Sequence, residues 1–485
     1  MIRLWCCLVL AGLCASSCAG PVRAEEVADQ SPSSGDAKVQ LVPGDAKLGY
    51  QLLTTKAYLP PVFTQANMDE IWRAWPKELR ERAATVDPET RRRIIFERYG
   101  FTERIGFDSG APDGSGKPLQ YVVDESGRWS MNCLACHGGS VMGRSYPGAP
   151  NNRFAFELLA TEMRNSKLIR GKLPNQFDVG ATLMPLGKTR GTTNAIMFGV
   201  GLMHYRDEDL NLNGKLVPPA FVHHDVDAPP WWHFKKKSRL YIDGFAQKGH
   251  RGLLQFVMVE ENSGEQLRSW EQDFQHIYAY LNSIEAPKYP FKIDMEKAKL
   301  GAKVFQSHCA ECHGTYKTVA SLHKFESYSE YRVAIERVGT DPVRLEALRP
   351  DGRAKYGRGW LSHYGREETI MEPDGYVAPP LDGVWASPPY FHNGSVPTLW
   401  GVLNPKLRPT VWKHRIVLDG VADENFDRRE VGILYDRVTG EVGQNAEPQE
   451  VFNTEKFGKS NQGHTFPEVL TLDEKRQVLE YLKTL

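Results

Sequence analysis

Two pentapeptides constrain this chain more than any other feature: Cys133-Leu134-Ala135-Cys136-His137 and Cys309-Ala310-Glu311-Cys312-His313. Cys-x-x-Cys-His is the attachment signature of c-type haem, in which both thiols bond the porphyrin and the adjoining imidazole becomes the proximal iron ligand. The competing readings are weaker. A redox dithiol needs no histidine, and a Cys2His2 zinc site separates its histidines from its cysteines. Two disulfides would suit an exported chain with four cysteines, but both pairs here run straight into histidine. The remaining cysteines, Cys6, Cys7, Cys14 and Cys18, all precede Ala24, so the two motifs use every cysteine beyond that point. The pattern implies two covalently bound c-type haems, held by Cys133, Cys136 and His137 and by Cys309, Cys312 and His313.

The beginning of the chain sets the expected compartment. Arg3 precedes the apolar run Leu4 to Ala15, and Val22-Arg23-Ala24 is a small-x-small cleavage pattern. Residues 1–24 therefore read as a secretory signal peptide, giving a periplasmic or secreted protein; lipid attachment at Cys18 is the second choice. Residues 25–40 are polar and poor in aromatics, the composition of a disordered leader. No later stretch approaches the ~18 apolar residues of a membrane span. The 60 Lys and Arg balance 60 Asp and Glu, which leaves no surplus for a nucleic-acid backbone or an anionic membrane. A length of 485 residues predicts two or three domains.

Both motifs sit in a repeated frame. Asp294 is a plausible N-cap for a helix carrying Leu300, Gly301, Val304 and Phe305 into the second motif. Thr471-Leu472-Asp473-Glu474 is a capping box for a closing helix that ends Tyr481-Leu482. A near copy of that ending, Tyr280-Leu281, precedes the proline-rich linker Ala286 to Pro290. The expected fold is mainly α, with two tandem cytochrome-c-like domains at 41–286 and 291–485 and long loop-rich insertions. Residues 67–100 read as one or two additional helices.

The far side of each iron decides whether it carries electrons or binds an oxidant. For the second haem the candidates are His464, in a Gly-rich loop before the closing helix, and His392, in Phe391-His392-Asn393-Gly394. His392 reads equally well as a histidine hydrogen-bonded in a tight turn. Met371 reads as packing. The loop before the first closing helix holds no Met or His between Glu260 and Glu271, so the first haem is expected to have an open side. Segments around Trp231, Trp232, Tyr241 and Phe245 either line that side or pack the core.

With these residues in view, the chain resembles the bacterial di-haem cytochrome c peroxidase and MauG superfamily, most closely its rubber-oxygenase-like branch. The likeness rests on the two motifs, Arg190 to Asn194, Tyr241-Ile242-Asp243-Gly244, Pro388 to Leu399 and Gly458 to His464. It implies a reactive first haem and an electron-transferring second haem with His464 as distal ligand. In peroxidases of the superfamily a Met ligand falls where Lys406 stands, and the tryptophan between the haems falls at Ile242, leaving Tyr241, Trp231 or Trp232 for that role. Gln255 and Glu265 keep the spacing of a peroxide-cleaving pair, with Val259 in place of its proline. Calcium is possible but not predicted, since Gly191 stands where a ligating Asn is expected. The implied function is an exported oxidoreductase that reduces peroxide or activates O2, with a small redox protein as electron donor or acceptor. The alternative is a non-catalytic di-haem electron carrier.

Overall fold

The computed structural model describes residues 41–485 except 175–177, 179–186, 215–221, 321–325, 416–424 and 439–447. The expected signal peptide and leader, Cys18 included, lie outside these residues. Among the described residues, seven helices of ten or more residues frame the fold: α1 (Ala46–Thr55), α2 (Pro88–Tyr99), α3 (Phe156–Ile169), α4 (Ala195–His204), α5 (Glu271–Ser283), α6 (Met295–His308) and α7 (Leu472–Leu482). Among the described residues, seven small antiparallel sheets of two or three strands accompany them. Val42–Leu485 forms one compact unit, and the linker at 286–290 does not divide it.

Helices α6 and α7 pack together, and local sequence explains both. Asp294 caps α6 by accepting from Lys297 N, and Thr471 and Glu474 close a reciprocal capping box on α7. The helices cross where α6 presents Gly301: a Cβ there would lie 2.0 Å from the Gln477 carbonyl oxygen. Four residues on, Phe305 meets Tyr481 with ring centroids 5.1 Å apart. This close approach requires glycine.

The same construction occurs earlier in the chain. Helix α1, capped by Asp45, packs on α5. A Cβ on Gly49 would lie 2.1 Å from the His276 carbonyl oxygen. Leu53, four residues on, is buried with Ile277 and Tyr280. Gly49/Leu53 against Tyr280 thus repeats Gly301/Phe305 against Tyr481. In the second pair α6 runs directly into its Cys-x-x-Cys-His motif. In the first, an inserted segment separates α1 from Cys133. That insertion holds the three-stranded sheet β1 (Phe63–Thr64), β2 (Tyr121–Val123) and β3 (Arg128–Met131), in the order β1-β3-β2. The register pairs Phe63 with Trp129 and Tyr121 with Met131. Trp75, Ile94, Phe96 and Phe154 pack with Phe63, Tyr121 and Trp129 in a cluster of their own.

The later half of the chain completes the earlier core. Leu348, Tyr356, Trp360 and Leu361 belong to the same buried cluster as Trp232, Phe245 and Tyr280. The residues following the second motif therefore do not fold only upon themselves, which is why the linker marks no separation in space. Buried polar links add to this: Trp232 Nε1 donates to the Asp382 carbonyl at 2.8 Å, and Trp385 Nε1 donates to that of Pro287 at 3.0 Å.

Candidate functional site

Strand β3 delivers the chain to the first motif. Asn132 fixes the turn: its amide donates to the Leu53 and Leu119 carbonyls, and its side-chain oxygen accepts from Leu134 N. The turn Leu134–His137 then projects His137, whose Nδ1 lies 3.0 Å from the Pro229 carbonyl. Burial depresses its pKa to about 4, outweighing that hydrogen bond, so the ring is neutral. A neutral imidazole donating through Nδ1 to a carbonyl presents the Nε2 lone pair, the form that ligates a metal. Trp231 stacks on the His137 ring, 4.6 Å between centroids and 21° between planes.

The second motif repeats this arrangement. His313 Nδ1 lies 2.9 Å from the Pro379 carbonyl, and burial again lowers the ring's pKa. Both carbonyls come from the first proline of an identical tripeptide, Ala228-Pro229-Pro230 and Ala378-Pro379-Pro380. The four motif cysteines are unpaired. Burial pushes the Cys133 and Cys309 thiols up to about 12, opposite to the depressed pKa of a reactive dithiol. Among the described residues no group of three His, Cys, Asp or Glu is placed to hold a metal ion.

The two sites differ in what faces the imidazole. His464 lies opposite His313 with ring centroids 6.3 Å apart. That separation leaves room for a metal ion between the rings, so His313 and His464 are the pair that would hold an iron. Burial takes the His464 pKa down to about 3, leaving a neutral ring there too. The loop that presents it is held from several sides. Arg408 donates to the Asn461 and Gly463 carbonyls at 2.6 and 2.7 Å, and Asn393 donates to that of Ser460 at 2.9 Å. Both Gly463 (φ 79°) and His464 (φ 48°) adopt left-handed backbone.

His392 does not share this position. Its ring lies against Tyr376, centroids 4.6 Å apart, and its carbonyl accepts from Asp227 N at 2.7 Å. Of the two histidines weighed for the second iron, the structure sets His464 across from His313. Met371 is 40% exposed.

Around the first site, the residues singled out in sequence separate. Gln255 is buried and its amide donates to the Tyr241 hydroxyl. Tyr241 stacks on Phe245 at 4.7 Å and 12°, and burial holds its phenol well above the ordinary range. Trp231 covers the His137 imidazole, while Trp232 is fully buried and tied to Asp382. Glu265 is different. It sits exposed in the first turn of the short helix Gly264–Ser269, whose cap is Ser263. Gln255 is thus buried and Glu265 exposed, because the helix start turns the carboxylate to solvent. Sequence reasoning passed over α1, Arg344 and the two proline carbonyls. The repeated Ala-Pro-Pro was the available signal for the last of these.

Comparison with known proteins bears on the part of the chain carrying these features. Residues 375–413 match the family described as RoxA-like, cytochrome c-like. The matched segment is cytochrome c-like. It contains Pro379 and the Pro388 to Ser395 stretch, and it supports haem c as cofactor, electron transfer as chemistry and the rubber-oxygenase-like branch as relation. Two uncharacterized proteins of Sinorhizobium fredii are similar. The one designated y4iM is 27% identical over 42% of this chain and 52% of its own length. That designated y4iJ is 27% identical over 42% of this chain and 42% of its own. The chain thus spans about half the length of the curated relatives it matches. No helix among the described residues is long and apolar enough to cross a membrane.

Proposed function

We propose that this chain is an exported di-haem c-type oxidoreductase built on two tandem cytochrome-c-like domains. The residues of the second motif would hold a haem that relays electrons, and those of the first a haem open to O2. The observation that carries the reading is an asymmetry between otherwise repeated sites: His137 and His313 have the same proline-carbonyl partner, but His313 faces His464 whereas His137 lies against Trp231. When bound, a c-type haem supplies reversible one-electron transfer and, where one axial face is free, a binding place for O2 or peroxide.

The residues divide the labour accordingly. The Pro229 and Pro379 carbonyls keep the motif imidazoles neutral and oriented. His313 and His464 together would hold the second iron, which would suit electron transfer because no ligand would have to enter or leave. Trp232, tied across to Asp382, is placed to couple the two halves. Beside the first haem, the Gln255–Tyr241 pair supplies neutral hydrogen-bond donors next to Phe245. Peroxide heterolysis calls for a proton carrier at the site, and the anticipated one, Glu265, faces solvent. The buried carboxylate nearby, Asp243, is paired with Arg344 and Arg353 at 3.7 and 3.2 Å. These features favour O2-dependent oxidation over peroxide reduction, with a small redox protein exchanging electrons at the second haem.

Low-temperature EPR of the oxidised protein tests this directly. One high-spin and one low-spin ferric signal are expected, and His464→Ala should convert the low-spin signal to high-spin while His392→Ala leaves it unchanged. Two low-spin haems in the parent protein, or a rapid optical change with peroxide, would overturn the assignment of the first site.

A further inference from the structure

Arg344 occupies an environment that its protein neighbours do not complete. It lies in the short helix Val343–Ala347 with its side chain 0% exposed. Its Nε, Nη1 and Nη2 are all buried without a hydrogen-bond partner. The nearest carboxylate, Asp243, is 3.7 Å away, beyond hydrogen-bond distance. Asp243 is itself shared, since Arg353 donates to its Oδ2 at 3.2 Å, and Asp243 Oδ1 has no partner. Two buried guanidinium groups therefore share Asp243, leaving five unsatisfied N–H donors on Arg344. A buried charge in this state is costly unless it is paired and hydrogen-bonded.

The position of Arg344 narrows the choice of partner. Its guanidinium carbon is 6.0 Å from the Tyr241 ring. Its charge also acts on Tyr376, His224 and His392, and the His392 carbonyl holds Asp227, two residues before Pro229. Arg344 thus lies close to Tyr241, and the next residue, Leu345, donates through its N–H to the Tyr376 hydroxyl. A planar guanidinium fork matches a carboxylate in bidentate geometry, and a c-type haem carries two propionate carboxylates fixed in place by its thioether bonds.

Resting on the di-haem reading above, we propose that Arg344 binds a haem propionate and, with Arg353 and against the opposing charge of Asp243, raises that haem's reduction potential. A positive charge held beside the porphyrin disfavours the ferric state, which carries one more positive charge than the ferrous. Arg344 is a positioning residue: it acts on the iron through the propionate and touches no substrate.

The test uses the full haem-loaded protein and reads potentials rather than turnover. Haem content is first measured as the pyridine haemochrome; fewer than two haems in the parent would count against the di-haem reading instead of this proposal. Arg344→Gln should retain both haems and lower one midpoint, so that at fixed potential its ferric-to-ferrous ratio rises about tenfold, or about 59 mV for one electron. The propionate bands in its resonance Raman spectrum should shift, and Arg344→Lys should fall between Gln and parent. Unchanged midpoints and bands would overturn the proposal. So would a parent spectrum that responds to added acetate while that of Arg344→Gln does not, which would make the partner a free carboxylate. Should Arg344→Gln fail to fold, Asp243→Asn provides the converse: removing the shared negative charge should raise the same midpoint, and no change would sink the idea.

Discussion

The crossing of α6 and α7 can be tested at Gly301. A Cβ at this position would lie 2.0 Å from the Gln477 carbonyl oxygen, 2.3 Å from its carbon and 2.8 Å from Val478 N. Favourable heavy-atom separations are about 3.5–4.0 Å, so Gly301→Ala must push the helices apart by roughly 1.5 Å. Nothing can rotate aside, because the opposing atoms are helix backbone. Separation would loosen the Phe305–Tyr481 contact and the packing of Ala302, Val478 and Leu482. Overpacking of this kind costs about 1–3 kcal/mol, and a backbone clash belongs at the upper end. Alanine recovers about 1 kcal/mol of helix propensity over glycine, so the net loss is about 2 kcal/mol. Gly199 in α4 is the control: its added Cβ would come no nearer than 3.4 Å to the Gln255 carbonyl oxygen. Gly199→Ala should therefore be neutral or stabilising by up to about 1 kcal/mol. Urea unfolding followed by far-UV circular dichroism gives both values. A Gly301→Ala protein as stable as the parent would refute the claim that backbone contact sets the distance between these helices.

Three further outcomes follow from specific contacts. Arg190, 3% exposed, donates to Glu450 at 2.9 Å. Burial pushes the Glu450 carboxyl up, but the Arg190 hydrogen bonds outweigh it and hold the group below its ordinary range. The pair's stabilisation is therefore present above the unfolded-state value of about 4.3 and is lost as pH falls through the lower folded value. Glu450→Gln should cost about 3–5 kcal/mol near pH 7 and flatten the acid limb of the stability curve; an unchanged pH profile would contradict this. Glu265→Gln should leave turnover as it is, because the side chain faces solvent, and a tenfold loss would restore it to the mechanism. Tyr241→Phe strips the buried Gln255 amide of its acceptor, which should cost about 1–3 kcal/mol and alter cyanide affinity at the first haem; identical cyanide titrations would separate this pair from the iron.

The sequence by itself determined the features that neighbouring residues build. Two Cys-x-x-Cys-His turns, the Asp294 cap, the Thr471–Glu474 box and the twin Tyr-Leu endings all depend on residues within one or two helical turns of each other. Their chemistry is local, so reading along the chain recovers it. Tertiary structure decided the rest. It brought α1 to α5, so that Asp45 N meets His276 across a separation of 231 residues, and thereby revealed a second copy of the Gly301/Phe305 crossing. It set His464 rather than His392 opposite His313, although both histidines lie in glycine-containing turns. It turned Glu265 outward while burying Gln255, and it placed Arg344 beside Asp243. The Ala-Pro-Pro repeat lies between these cases, visible as letters but meaningful only once each carbonyl meets a motif imidazole. The physical reason is common to all of them. A side chain's periodicity and capping chemistry are set by its immediate neighbours, whereas its partner across the fold depends on how the helices and loops pack, which no local pattern encodes.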